Sequence, residues 1–184
     1  MKKTYALLFL FTVTGLRAEI EFSGFFLTAR EALFYLTETE GHRSSGWLKI
    51  GQSFDDYALV SFDPGREAIT LRQGGRLREV PLRASKVKDR RVILTGTITL
   101  RQEQVEGVRA SLFLGEEGVF PLKDGVTLRI RSEERPDGNI VYHSRFDVKN
   151  ADGLEEPMNC PSIIARPGST FSMRMGDLGF TFKP

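Results

Sequence analysis

From Glu19 onward, apolar and polar residues alternate with a period of two, and almost nothing recurs at helical spacing over a helix-length window. Successive side chains of an extended chain point to opposite sides, so this rhythm commits the chain to strands. Ile20 and Phe22 alternate with acids. Leu33, Tyr35 and Thr37 alternate with Phe34 and Leu36, which predicts a strand apolar on both faces and therefore central in its sheet. Further strands are expected at 47–50, 57–62, 68–72 and 77–82, divided by Gly51-Gln52, Asp63-Pro64-Gly65 and Gly74-Gly75. Proline presets φ at the start of a turn, and paired glycines accept the positive φ of a tight hairpin. Short strands this closely spaced predict a small antiparallel barrel or rolled sheet over residues 19–85.

The basic stretch at 83–91, RASKVKDRR, interrupts the pattern, which then restarts. Val92, Leu94, Gly96, Ile98 and Leu100 mark one strand face, Val108, Ala110, Leu112 and Leu114 a second, and Val126, Leu128 and Ile130 a third. In 140–148, Ile140, Tyr142, Phe146 and Val148 share one side while His143, Arg145 and Asp147 share the other, predicting a sheet with one wet face. Strands at 162–165, 170–175 and 179–182 complete a β-sandwich-like unit over 92–184. The overall expectation is an all-β protein, built as two units or as one continuous double sheet.

Residues 1–18, MKKTYALLFLFTVTGLRA, place two lysines before an apolar run and end at Ala18, the form of a secretory signal peptide cleaved after Ala18. The run is shorter than the ~20 residues a membrane-crossing helix needs, so no membrane span is expected once the leader is removed. A periplasmic or secreted location follows. Without Lys2, Lys3 and Arg17, the 26 lysines and arginines against 24 acids become 23 against 24. That balance argues against nucleic acid as a partner, since phosphate affinity rests on clustered cations.

The stretch SSGWLKIGQSFDDYALVSFD holds the single tryptophan and two adjacent aspartates. Neighbouring residues on an extended chain face opposite ways, so Asp55-Asp56 reads as a turn between strands rather than a catalytic pair. Trp47 is either a core plug or an exposed anchor for a partner. His42, His143 and Cys160 form no short-spaced metal motif, and no Gly-x-Ser-x-Gly, Walker or dinucleotide fingerprint occurs. The stretch DVKNADGLEE fails as a calcium loop, because Gly153 at its sixth position would make Val148 the first ligand. The single cysteine reads as a buried, inert thiol. No cofactor, no metal and no catalytic residue is therefore expected.

Residues 46–82 resemble the small periplasmic β domain of type II secretion protein C and its type IV pilus counterpart, protein P, through Gly46, Gly51, Val60, Asp63, Ile69, Leu71, Gly75, Val80 and Leu82. Residues 160–177 resemble a strand-turn-strand segment of secretins through Pro161, Pro167-Gly168, Phe171 and Gly176. Both resemblances imply an envelope protein associated with a secretion or pilus machine. The expected function is an exported, non-enzymatic protein-interaction module with a protein partner in the envelope; the alternative is a secreted carbohydrate-active or other hydrolytic β domain. Trp47, Phe180 and Phe182 are the candidate partner contacts, the last two because GFTFKP reads either as an exposed strand edge that accepts a partner strand or as the closing strand of the sandwich.

Overall fold

The computed structural model describes residues 19–39, 43–84, 91–101 and 103–184. The leader with Ala18, His42 and most of the basic stretch lie outside the described residues. The described chain is all-β, with three antiparallel sheets, none closed into a barrel. The rolled or barrel-like expectation for 19–85 thus resolves into open sheets.

The strands are β1 (Ile20–Leu27), β2 (Ala32–Glu38), β3 (Ser44–Leu48), β4 (Ser53–Phe54), β5 (Tyr57–Asp63), β6 (Ala68–Gln73), β7 (Arg76–Pro81), β8 (Arg91–Leu100), β9 (Glu103–Phe113), β10 (Glu117–Pro121), β11 (Val126–Glu134), β12 (Ile140–Lys149), β13 (Glu155–Asn159), β14 (Ile163–Ala165), β15 (Phe171–Met175) and β16 (Leu178–Lys183). A seven-stranded sheet runs β15-β16-β8-β9-β1-β2-β3. A second sheet runs β10-β11-β12-β13, with β14 also on β12, and a third runs β4-β5-β6-β7. The seven-stranded sheet takes strands from both sides of the basic stretch, because Phe26 pairs with Ala110 and Leu27 with Arg109.

Double-sided alternation explains why this sheet sits in the middle. Leu33 of β2 enters one core while Phe34 and Leu36 enter another; Phe26 and Phe25 of β1 divide the same way. On the first side, Leu94, Ile98, Val108 and Leu112 pack against Leu128, Ile130, Tyr142 and Phe146 of the second sheet. On the other, Phe22, Phe25 and Phe34 pack against Leu59, Ile69 and Leu71 of the third sheet. Phe62 closes that core, with ring centroids 5.0 to 6.0 Å from Phe34, Phe25 and Phe22. Burying each of Phe22, Phe25 and Phe34 contributes about 1.5–3 kcal/mol toward holding the third sheet on the central one.

Two local features shape the sheet. A bulge in β1 between Phe22 and Gly24 re-aims Ser23. At Gly96, a Cβ would fall 1.9 Å from the Thr181 carbonyl oxygen, so only glycine lets β8 and β16 approach. The face expected to be wet on β12 carries one exception: Asp147 is 4% exposed. Arg129 reaches over from β11 with Nε 2.5 Å from Oδ2, and Arg145 Nε lies 3.1 Å from Oδ1. Periodicity shows which face a residue takes but not that long neighbouring side chains will roof it.

Candidate functional site

The β1–β9 seam is short. Past Phe26, the Phe25 N–H donates to the Ser111 side-chain oxygen at 3.0 Å instead of to a strand carbonyl. Leu82 then takes the place beside Phe22, and the Arg83 N–H donates to the Phe22 carbonyl at 2.8 Å. Above this parting of strands lies a cleft of about 640 Å³, walled by the β1–β3 end of the large sheet and by β10.

The strand period sets its lining. Leu33 of β2 is core, and the next two positions on that face, Tyr35 and Thr37, open into the cleft. Trp47 stands opposite Tyr35 across the β2–β3 pairing, with ring centroids 5.5 Å apart. Its indole Nε1 donates to the Val119 carbonyl of β10 at 2.9 Å, pinning the ring across the cleft mouth. Ser23, turned by the bulge, meets Thr37 through a 2.5 Å hydroxyl contact. Gly118 of β10 allows the close approach of Leu112 and Phe120, each of which a Cβ would meet under 3 Å.

Four carboxylates line the cleft: Glu21, Glu38, Glu116 and Glu117. Three are tied to arginines. Glu38 is clasped by Arg43 at 2.8 and 3.1 Å, and those hydrogen bonds hold its carboxyl below the usual range. Glu116 takes Arg83 Nη2 at 2.6 Å, and Glu117 takes Arg129 at 3.0 Å. Glu21 has no ion pair among the described residues. Arg83 lies 4.2 Å over the Phe113 ring, its Nη1 buried without a hydrogen bond. A general acid for glycoside cleavage needs a carboxyl held above its ordinary value. The shift at Glu38 runs the other way. The lining instead suits holding a ligand: an aromatic wall, hydroxyls and charges of both signs.

Of the candidate contacts, Trp47 lies in this cleft and half-buried, serving as packing and as wall together. Phe180 and Phe182 do not reach a partner: each is 2% exposed in the first core, their rings stacked at 5.1 Å. Moreover β16 is hydrogen-bonded on both sides, to β15 and β8, so GFTFKP is a closing strand of the core, and the other reading, an exposed edge with Phe180 and Phe182 as partner contacts, is corrected. Asp55-Asp56 is the two-residue turn joining β4 to β5, with Phe54 opposite Tyr57 and Asp55 at φ 49°. Cys160 packs half-buried against the first core, burial pushing its thiol pKa up, while His143 bonds Ser162 at 2.8 Å. In the failed calcium stretch, Asn150 accepts the Asp152 and Leu154 N–H groups at 3.0 Å, an ordinary Asx turn. Among the described residues no three potential ligands gather for a metal, and no helix is long and apolar enough to cross a membrane. Sequence reasoning missed the pairing of Arg83, the first residue of the basic stretch, with Glu116 beyond it; no local pattern announces that pairing.

No protein-family model, curated protein or solved structure matches the chain.

Proposed function

We propose that the protein is an exported, non-catalytic protein-binding module of the cell envelope that grips its partner in the cleft beside Trp47. The observation that carries this reading is the pinned indole. A large amphipathic ring, locked by the Val119 bond and set beside Tyr35 at an open cleft, offers contact area at little entropic cost. The leader sequence supports export, and the resemblance of 46–82 to secretion and pilus β domains supports a partner among such assemblies; in the fold that stretch comprises Trp47 and the third sheet.

A photo-crosslinking residue at Thr37, inside the cleft, should capture one envelope protein in intact cells, and Trp47→Ala should abolish the adduct. The same residue at Leu154, exposed on the β12–β13 turn, should not capture it. Equal adducts from both positions, or none from Thr37, would refute the reading. The carbohydrate-active alternative is favoured by one feature, the Tyr35–Trp47 pair above hydroxyls and carboxylates. It requires release of reducing ends from a glycan by the purified protein, lost in Glu21→Gln.

A further inference from the structure

Among the described residues the sheets end in seven terminal strands, and six of them are guarded. Strands β7, β10 and β13 each carry a proline, Pro81, Pro121 and Pro157. Strand β3 is bent by a bulge at Gly46, whose φ is 66°, and β4 and β14 are two and three residues long. Prolines, bulges and short lengths are the devices by which natural sheets prevent edge pairing. Strand β15, FSMRM, has neither proline nor bulge, and its ladder with β16 is regular from Phe171–Phe182 to Met175–Leu178.

We propose that β15 is a self-pairing edge, through which two copies of this chain join their seven-stranded sheets antiparallel about a two-fold axis at Met173. The register follows from the hairpin. A two-residue turn at Gly176-Asp177 makes Met175–Leu178 a hydrogen-bonded pair, so Met173 and Phe171 also bond to β16. The N–H and C=O groups of Ser172 and Arg174 therefore point outward. In an antiparallel pairing centred on Met173, Ser172 of each copy faces Arg174 of the other, and the two residues exchange both main-chain bonds.

The side chains agree with that register. Phe171, Met173 and Met175 share the core-facing side, the two methionines half-buried, while Ser172 and Arg174 share the exposed side. The two-fold sets Met173 against Met173 and Phe171 against Met175, extending the first core across the junction with flexible apolar groups. No like charges stand opposite, since Arg174 meets Ser172 and its own Nε is held at the hairpin tip by the Gly176 carbonyl at 3.2 Å. A foreign strand would need to bring this pattern; a second copy already has it. The near-zero charge of residues 19–184, 23 cations against 24 acids, sets no field against self-association.

The consequence for function, which rests on the cleft reading above, is bivalency. Strand β15 and the cleft lie toward opposite ends of the same sheet, so pairing leaves both clefts free at the outer ends of the doubled sheet.

Light scattering of the purified mature chain under reducing conditions, from micromolar to millimolar, tests the pairing without reference to any ligand. Wild type should shift from monomer to dimer, and Ser172→Pro should stay monomeric with an unchanged melting curve, because the lost N–H faces outward. Met173→Cys in a Cys160→Ser background should form a disulfide-linked dimer on oxidation, and this variant decides the matter if Ser172→Pro fails to fold. Wild type that remains monomeric throughout, a Ser172→Pro dimer as stable as wild type, or absence of the Met173→Cys covalent dimer would each overturn the proposal. Loss of cleft adducts with dimerisation intact would count against the cleft reading alone.

Discussion

Replacing Tyr142 by phenylalanine should make the protein more stable, and should remove one limb of its alkaline unfolding. Tyr142 is 1% exposed, stacked on Phe171 with centroids 4.0 Å apart, and its hydroxyl is buried with no hydrogen-bond partner. An unpaired buried hydroxyl costs about 1–3 kcal/mol, while the ring contact is retained in phenylalanine. Tyr142→Phe is therefore expected to gain about 1–2 kcal/mol, a rise in Tm of roughly 2–8 °C for a chain of this size. The ionisable proton gives a second, independent readout. Burial pushes the Tyr142 phenol from 10.0 up to about 12. Below pH 10 it is protonated in both states; between about 10 and 12 only the unfolded chain ionises, so stability is lost as pH rises through that window. The displacement corresponds to roughly 2–3 kcal/mol. Urea unfolding of wild type and variant at neutral pH and through that alkaline range isolates the contribution, because every lysine and the other tyrosines are common to both. A variant less stable than wild type at neutral pH, or a stability difference that does not grow with pH, would refute the argument that the hydroxyl is unpaired and desolvated.

Gly96→Ala should cost at least about 3 kcal/mol in chemical unfolding, since the added methyl meets the Thr181 backbone rather than a movable side chain. Gly138→Ala, at a turn where the Cβ meets nothing, should cost only about 1 kcal/mol through its positive φ; equal losses would discount the strand approach. Asp147→Asn leaves Arg129 and Arg145 without their shared carboxylate and should cost about 2 kcal/mol, below the 3–5 of a sealed ion pair because both arginines keep part of their solvent; a melting curve identical to wild type would show the roof to be decorative. Cys160 should react with a thiol reagent at neutral pH far more slowly than the same thiol in urea, as burial raises its pKa and withholds the thiolate; equal rates would place the sulfur in the open.

Fold class was legible because alternation is local: each strand announces its two faces without knowing its neighbours. The two-sided burial of β2 was legible for the same reason, Leu33 on one face and Phe34 and Leu36 on the other, but its expected place at the centre of the sheet was not met: β2 lies next to the edge strand β3. Pairing was not. The joining of β1 to β9 brings Phe26 against Ala110 across the basic stretch, and nothing near either residue encodes the other. Phe180 and Phe182 show the same limit, since an interior strand and an edge strand carry identical alternation. The sequence left Trp47 open between core plug and partner anchor, and its cleft depends on Val119, Arg83 and Glu116, which reach it only through the fold.

The cleft follows from a mismatch between layers. The central sheet extends beyond β10 to β3, and sheet positions beyond the edge of a covering layer must either stay apolar and bind something or turn polar and stay wet. Here the rows change character where the cover stops. Phe26 and Leu33 lie under the second sheet, whereas Ser23, Tyr35 and Thr37 continue the same face with hydroxyls. A polar floor by itself would be plain surface. Trp47 makes the difference, because its indole is anchored to the far wall through Val119 instead of being folded down over those hydroxyls. The cleft is thus held open by a hydrogen bond between its two walls, and its shape is set before any partner arrives. At the other end of the sheet β15 pairs only with β16, so its outer main chain is exposed in the same preformed way, and no residue lining the cleft belongs to it.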